Sequence, residues 1–199
     1  MRGAMPESPA AGNTEILLLA GGAARRFPGK LFHPIDGTPM LVRTYEALKK
    51  TGWPIRVLAD RSLPAEIAAS LAATVSIDRR PYRGPLFALL ETCDTLCREY
   101  VVVAAADLPA IDAGVLHALA AAWRPGDDAV VPIHDGSVEP LAALYRRGAI
   151  LDASRALRRD RRRSMRALIE RLPVRFVSLP AQYFVNVNHP NDLSALGVA

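Results

Sequence analysis

Apolar residues along the chain fall into short runs separated by turns and amphipathic stretches. The runs are Ile16–Leu19, Ile55–Ala59, Thr74–Ile77, Tyr100–Ala105 and Ala129–Ile133. They are four to six residues long and several are rich in valine, which suits buried strands better than helices. Helical spacing fills the gaps. Thr38-Pro39 caps a segment reaching Lys50, with Leu41, Tyr45 and Leu48 on one face and Gly52-Trp53-Pro54 ending it. Ser62 caps the next, through Ala72; Gly84-Pro85 opens a third, through Cys97; Asp112 caps a fourth, through Trp123. Strand and helix alternating in this order predict an α/β domain with a largely parallel sheet.

The pattern changes after Ile133. Glu139–Tyr145 reads as a strand, followed by helices over Ala149–Arg159 and Ser164–Leu172. Val174–Leu179 and Tyr183–Val187 are short strand candidates, and Pro190 starts a final short helix. Residues 1–13 read as a loose tail and 14–199 as one domain, whose second half elaborates the substrate side.

Composition narrows the choice. With 199 residues, half of them hydrophobic and 23% charged, the chain can bury a full core. No apolar stretch reaches transmembrane length and the N-terminus has no signal-like apolar core, so a cytoplasmic protein without a membrane role is expected. Cys93 and Cys97 can form neither a disulfide framework nor a four-ligand zinc site, and at i and i+4 of a helix they read as small core or boundary residues. The four histidines (33, 117, 134 and 189) lack metal-ligand spacing.

The net charge of +5 invites a nucleic-acid reading until the charge is located. The segment Arg155–Arg166 holds seven arginines and one aspartate, a local +6, which leaves the rest of the chain at −1. One cluster without interleaved aromatics is not a nucleic-acid surface, and no nucleic-acid partner is expected. The cluster reads either as a solvated helix face or as a basic wall for an anionic acceptor or a partner enzyme.

Three motifs carry candidate chemistry. Leu17-Leu18-Leu19-Ala20-Gly21-Gly22-Ala23-Ala24-Arg25-Arg26-Phe27-Pro28-Gly29-Lys30 runs from a buried strand into paired glycines, then arginines and a lysine. Glycines admit a close anion, and Arg26 and Lys30 can neutralise a polyphosphate; the same glycines also suit an ordinary strand-to-loop turn. It is neither a Walker loop nor a dinucleotide fingerprint. Val101-Val102-Val103-Ala104-Ala105-Ala106-Asp107-Leu108-Pro109 puts a carboxylate at the carboxyl end of a central strand, where open α/β sheets bind ligands. There it could hold Mg²⁺ or merely cap a loop. Phe184-Val185-Asn186-Val187-Asn188-His189-Pro190-Asn191-Asp192-Leu193 offers Asn188, a further polar group or a plain turn residue.

Taken in order, LAGG–Arg–Lys, Asp78 with Gly84-Pro85-Leu86, AADLP, Glu139-Pro140-Leu141-Ala142-Ala143-Leu144-Tyr145-Arg146 and NVNHPNDL resemble the MobA-like nucleotidyltransferases. Within them, the guanylyltransferases of molybdenum cofactor synthesis are the nearest likeness. The resemblance spans residues 15–196 and implies a Rossmann-like nucleotidyltransferase fold with helices on both faces of a mostly parallel sheet. It implies Leu19, Ala20 and Gly21 near base and ribose, and Gly22, Arg26 and Lys30 along the phosphates. Asp107 matches the metal-binding Asp, Asn188 a second metal contact, Asp60 a base-reading position and Asp78 a further nucleotide-side Asp. GTP, a molybdopterin-type acceptor and Mg²⁺ follow, along with other proteins of cofactor synthesis or acceptor enzymes as partners. Two alternatives stay open: cytidylyl or sugar-phosphate transfer on the same scaffold, and a nucleotide-binding regulatory domain without catalysis. The chain departs from the family pattern at Ala24 in place of Ser, at Ala88 in place of Gly, at Asp60 in place of Asn, and in a shorter step to Lys30.

Overall fold

A computed structural model describes residues 8–22, 26–159 and 164–196, with only the backbone for 194–196. Its strands are β1 (Thr14–Ala20), β2 (Pro34–Ile35), β3 (Thr38–Pro39), β4 (Ile55–Ala59), β5 (Thr74–Ile77), β6 (Tyr100–Ala105), β7 (Ala129–His134), β8 (Ser137–Val138), β9 (Ala142–Arg146) and β10 (Val174–Ser178). The helices are α1 (Met40–Lys49), α2 (Ala65–Ser70), α3 (Pro85–Thr92), α4 (Ala113–Ala122), α5 (Arg147–Arg159) and α6 (Met165–Ile169).

One sheet runs in the order β10-β7-β9-β6-β1-β4-β5, with β8 paired to β7. Strands β6, β1, β4 and β5 are parallel, so their carboxyl ends meet along one edge. Strand β9 is antiparallel to both β6 and β7, and β10 is parallel to β7. The mostly parallel sheet thus gains two reversed strands, β8 and β9, after the chain turns back at Asp135-Gly136. Both turn residues have positive φ (46° and 76°), which Asp and Gly tolerate.

Helices cover both faces because alternate strand residues point to opposite sides. Ile16 and Leu18 of β1 pack with Leu41, Tyr45 and Leu48 of α1 and with Leu116 and Leu119 of α4. Leu17 joins Leu86 and Leu89 of α3, Ile150 of α5 and Leu168 of α6. All are essentially inaccessible, and truncating such a leucine to alanine costs about 2–5 kcal/mol.

Several expectations need correction. Tyr183–Val187 is not a strand: a 3-10 turn covers Ala181–Phe184, and Val187 N–H bonds instead to the Asp107 carbonyl. The third helix stops at Thr92 and a 3-10 turn follows, so Cys97 lies beyond the helix and is exposed while Cys93 is buried. Burial pushes the Cys93 thiol up to about 12, which leaves it inert as a thiolate. Neither Ser62 nor Thr38 caps a helix with its side chain; the caps are Pro64 and Pro39. Strand β9 begins at Ala142 rather than Glu139, and α6 ends at Ile169. The expected Asp112 cap does form, accepting from Val115 N–H, and Ser164, the first residue of the expected sixth helix, caps α6 by accepting from Ala167 N–H. Of the expected tail, Ala10–Asn13 closes a turn in which Asn13 Oδ1 accepts from Ala10 N–H at 2.7 Å, and residues 1–7 lie outside the described residues. Among the described residues no helix is long and apolar enough to cross a membrane.

Candidate active site

Parallel pairing gathers the sequence motifs onto one edge. The end of β1 leads into Gly21-Gly22, β4 into Asp60, β5 into Asp78 and β6 into Asp107. A cleft of about 160 Å³ opens between them, lined among others by Leu19, Gly22, Asp60, Asp78, Ala88 and Asp107. Ala20 is buried at the strand end beside it.

Lys30 is largely buried, and its ammonium is held by oxygens of the protein. It leaves a 3-10 turn entered through Gly29 (φ 72°) and reaches Asp107 Oδ2 at 2.6 Å, the Val187 carbonyl at 2.8 Å and Asn188 Oδ1 at 3.1 Å. Residues 77 and more positions away in the chain therefore converge on one cation. Asp107 stays partly open, with 22% of its side chain exposed. The backbone on either side is tied down: Ala106 N–H bonds to the Leu19 carbonyl, and Thr44 Oγ1 donates to the Ala106 carbonyl at 3.1 Å. Asn188 is held by Asp192, whose Oδ2 accepts from the N–H groups of Asn188 and His189 at 2.7 Å each. Those two bonds, Asn188 first, hold the Asp192 carboxyl below its usual value.

The opposite end of the cleft is looser. Asp60 Oδ2 accepts from Gly22 N–H at 3.3 Å, and Asp60 Oδ1 accepts from Arg61 Nε at 3.2 Å. Gly21 allows a close approach here: a Cβ would stand 3.0 Å from Asp60 Cβ and 3.2 Å from its backbone N, so Asp60 would have to shift by a few tenths of an ångström. Arg61 also donates to Tyr82 Oη at 3.1 Å. Tyr82 was missed in the sequence. It lines the cleft, is 59% exposed and adopts φ 68°, which is strained for an aromatic residue. The available signal was its place between Asp78 and Gly84-Pro85-Leu86. Asp78 Oδ1 accepts from Arg80 N–H at 2.8 Å, fixing the turn that follows β5.

Arg26 is exposed on the glycine loop, while Ala23, Ala24 and Arg25 lie outside the described residues. Of the arginine cluster, Arg155, Arg158, Arg159 and Arg166 are exposed; Asp160 and Arg161–Arg163 lie outside the described residues. Arg158 turns back to donate to the Leu90 carbonyl at 2.7 Å, on the α3 face of the sheet. Also unforeseen is a pair on the β7 side of the edge, where His134 Nε2 meets Glu139 Oε1 at 2.9 Å and the imidazole stacks on Phe184.

Among the described residues no three His, Cys, Asp or Glu side chains gather as a metal cluster. Asp107 Oδ2 and Asn188 Oδ1 nevertheless lie side by side, both bonded to the Lys30 ammonium, so two hard oxygen donors are close together beside the cleft. That donor set fits an ion that takes its other ligands from phosphates and water.

A cleft at the carboxyl edge of such a sheet is where open α/β folds take their ligands, and here it joins a glycine loop to a buried lysine–carboxylate pair. Residues 16–177 match the MobA-like NTP transferase domain, and the chain belongs to that family. It is 34% identical to a probable molybdenum cofactor guanylyltransferase of Opitutus terrae over 88% of this chain and 90% of that one. To the probable molybdenum cofactor guanylyltransferase of Bacillus licheniformis it is 28% identical, over 90% and 94%. The crystal structure of molybdopterin-guanine dinucleotide biosynthesis protein A from Archaeoglobus fulgidus superposes with a TM-score of 0.70 at 25% identity, covering 90% of this chain and 95% of that one.

Proposed function

We propose that this nucleotidyltransferase moves GMP from GTP to the phosphate of molybdopterin. The observation that carries the reading is the convergence of Lys30, Asp107 and Asn188 beside the Gly21-Gly22 loop. The names of the relatives supply the substrate pair.

A phosphate oxygen of the acceptor attacks the α-phosphorus of GTP. The new P–O bond forms as the bond to the β-phosphate oxygen breaks, and pyrophosphate leaves with the electron pair. The nucleophile is already ionised, so no residue has to act as a general base. Gly21 and Gly22 bring backbone N–H groups close to the phosphates, and Lys30 and Arg26 offset their charge. Asp60, Asp78 and Tyr82 take the guanosine end. A carboxylate at position 60 can accept from the N1–H and N2–H₂ groups of guanine. Asp107 and Asn188 would hold Mg²⁺, which supplies Lewis-acid stabilisation of charge on the phosphates. In this reading residues 14–199 act as one domain, since the site draws on both β1 and Asn188, in the cytoplasm where GTP is available.

The test is pyrophosphate release with each nucleoside triphosphate against a panel of phosphorylated acceptors, molybdopterin included. GTP with the pterin should lead by at least tenfold. A preference for CTP, or for a sugar phosphate, would replace this assignment with the corresponding transfer.

A further inference from the structure

A second cleft, larger than the first, lies under the outer strands on the α3 face. Its volume is about 640 Å³, within the range of small-molecule sites. Arg56 and Leu58 of β4 and Ser76 of β5 form its roof, since alternate residues point to the same face. Glu91 and Thr92 of α3, Thr95 after it, Arg158 of α5 and the 78–80 turn close the sides.

Four arginines from separate parts of the chain therefore share one cavity: Arg56, Arg79, Arg80 and Arg158. Two carboxylates, Asp78 and Glu91, offset them only in part. Glu91 is spread over two guanidiniums, Arg80 at 3.7 Å and Arg83 at 3.6 Å, both loose for ion pairs. Asp78 spends one oxygen on the Arg80 N–H. Arg56 donates through Nη1 to Thr95 Oγ1 at 3.0 Å, but its Nε is buried with no hydrogen-bond partner. A buried donor left unpaired is costly, and it marks a place for an acceptor that a ligand can bring.

We propose that this cleft is a second anion site, taking a small molecule that bears phosphate without a base. Planar guanidinium forks suit phosphate oxygens. The cavity is concave, which favours a small molecule over a flat protein surface. Among the described residues no aromatic side chain lines it, so they offer nothing for a nucleobase to stack on. The +6 cluster finds part of its use here, because Arg158 belongs to it. Asp78 and Leu58 line both clefts, which puts the second site against the wall of the nucleotide site.

The probe is inorganic pyrophosphate. Calorimetric titration is run on protein saturated with a non-hydrolysable GTP analogue, and separately on Lys30→Met protein, whose catalytic edge has lost its phosphate-neutralising ammonium. Pyrophosphate should bind in both cases with a stoichiometry of one. The exposed double variant R79Q/R158Q should lose at least tenfold in that affinity and keep its melting temperature and its analogue affinity within twofold. A parallel titration with excess analogue separates a free phosphate ligand from a nucleotide and should show no second equivalent. The proposal is overturned if pyrophosphate binds in neither case, if R79Q/R158Q binds it as tightly as the wild type, if a second analogue fills the cleft, or if a glutamate-rich peptide outcompetes pyrophosphate there. Failure of the analogue to bind at the first site would count against guanylyl transfer alone, because the Lys30→Met titration reads the second cleft independently.

Discussion

At the Lys30 end of the nucleotide cleft the ammonium is buried and meets three oxygens, whereas at the Asp60 end the partners stand in water, with Arg61 61% exposed and Tyr82 59%. In the proposed guanylyl transfer the difference separates two tasks. Charge neutralisation needs groups fixed before the substrate arrives, because a preorganised dipole or charge does not have to reorganise during reaction. Reading a base tolerates, and even uses, side chains that can be displaced.

The sharpest way to break this comparison is Asp107→Asn, which removes a charge from the fixed end and keeps an oxygen there. Turnover should fall by at least about 10²–10³-fold, and the melting temperature should fall too, because the buried Lys30 ammonium keeps an oxygen partner but loses the charged one. Near-normal turnover would remove Asp107 from the cation-binding corner. Asp107→Ala should destabilise the fold further, by about 1–3 kcal/mol, because Lys30 then loses the oxygen acceptor as well as the charge.

Next in size is Lys30→Met. Losing one charge-assisted contact costs about 1.5–3 kcal/mol, so GTP affinity should drop roughly 10- to 150-fold while guanosine affinity holds. Arg26→Ala should act in the same direction and more weakly, its side chain being exposed. Calorimetry with the two ligands decides; equal losses for both would move these cations from the phosphates to the base.

At the loose end, Tyr82→Ala should weaken guanosine and GTP alike, by about 1–3 kcal/mol if the ring stacks on the base. An effect confined to GTP would show that the two ends are not divided as described.

The smallest effect concerns the strap that holds Asn188. The Asp192 carboxyl titrates below its ordinary value, so the folded state binds its proton less readily than the unfolded one. Its contribution is therefore present above the unfolded value and is lost as pH falls through the folded one. The stability gap between wild type and Asp192→Asn should be small at neutral pH and vanish once pH has fallen below the folded-state value. A gap that widens on acidification would contradict the bonding described.

Much of this architecture was legible in the chain. Ile55–Ala59, Thr74–Ile77 and Tyr100–Ala105 stand where the apolar runs put them: Tyr100–Ala105 is buried at every position and so apolar throughout, while the edge strand Thr74–Ile77 has no buried residue and is marked by its β-branched side chains. Strand β1 begins two residues before its apolar run, at Thr14. Glu15 is buried there because its Oε1 accepts from the N–H groups of Cys97 and Arg98 at 2.7 Å each, a partner 82 positions away that no local pattern reveals. Tyr183–Val187 failed in the opposite sense. Its alternation suits a strand, yet the Val187 carbonyl is taken by Lys30 and its N–H by Asp107, leaving no ladder to join.

The sequence by itself determined the layered α/β plan, the motif order and the residues that carry charge, because periodicity and residue chemistry are properties of neighbours along the chain. Tertiary structure alone decided that Lys30 is buried against Asp107 and Asn188, that Tyr82 faces the cleft, and that four scattered arginines share a cavity. Those facts depend on which strands lie side by side and which face each residue takes, and both are settled only when the two cores close.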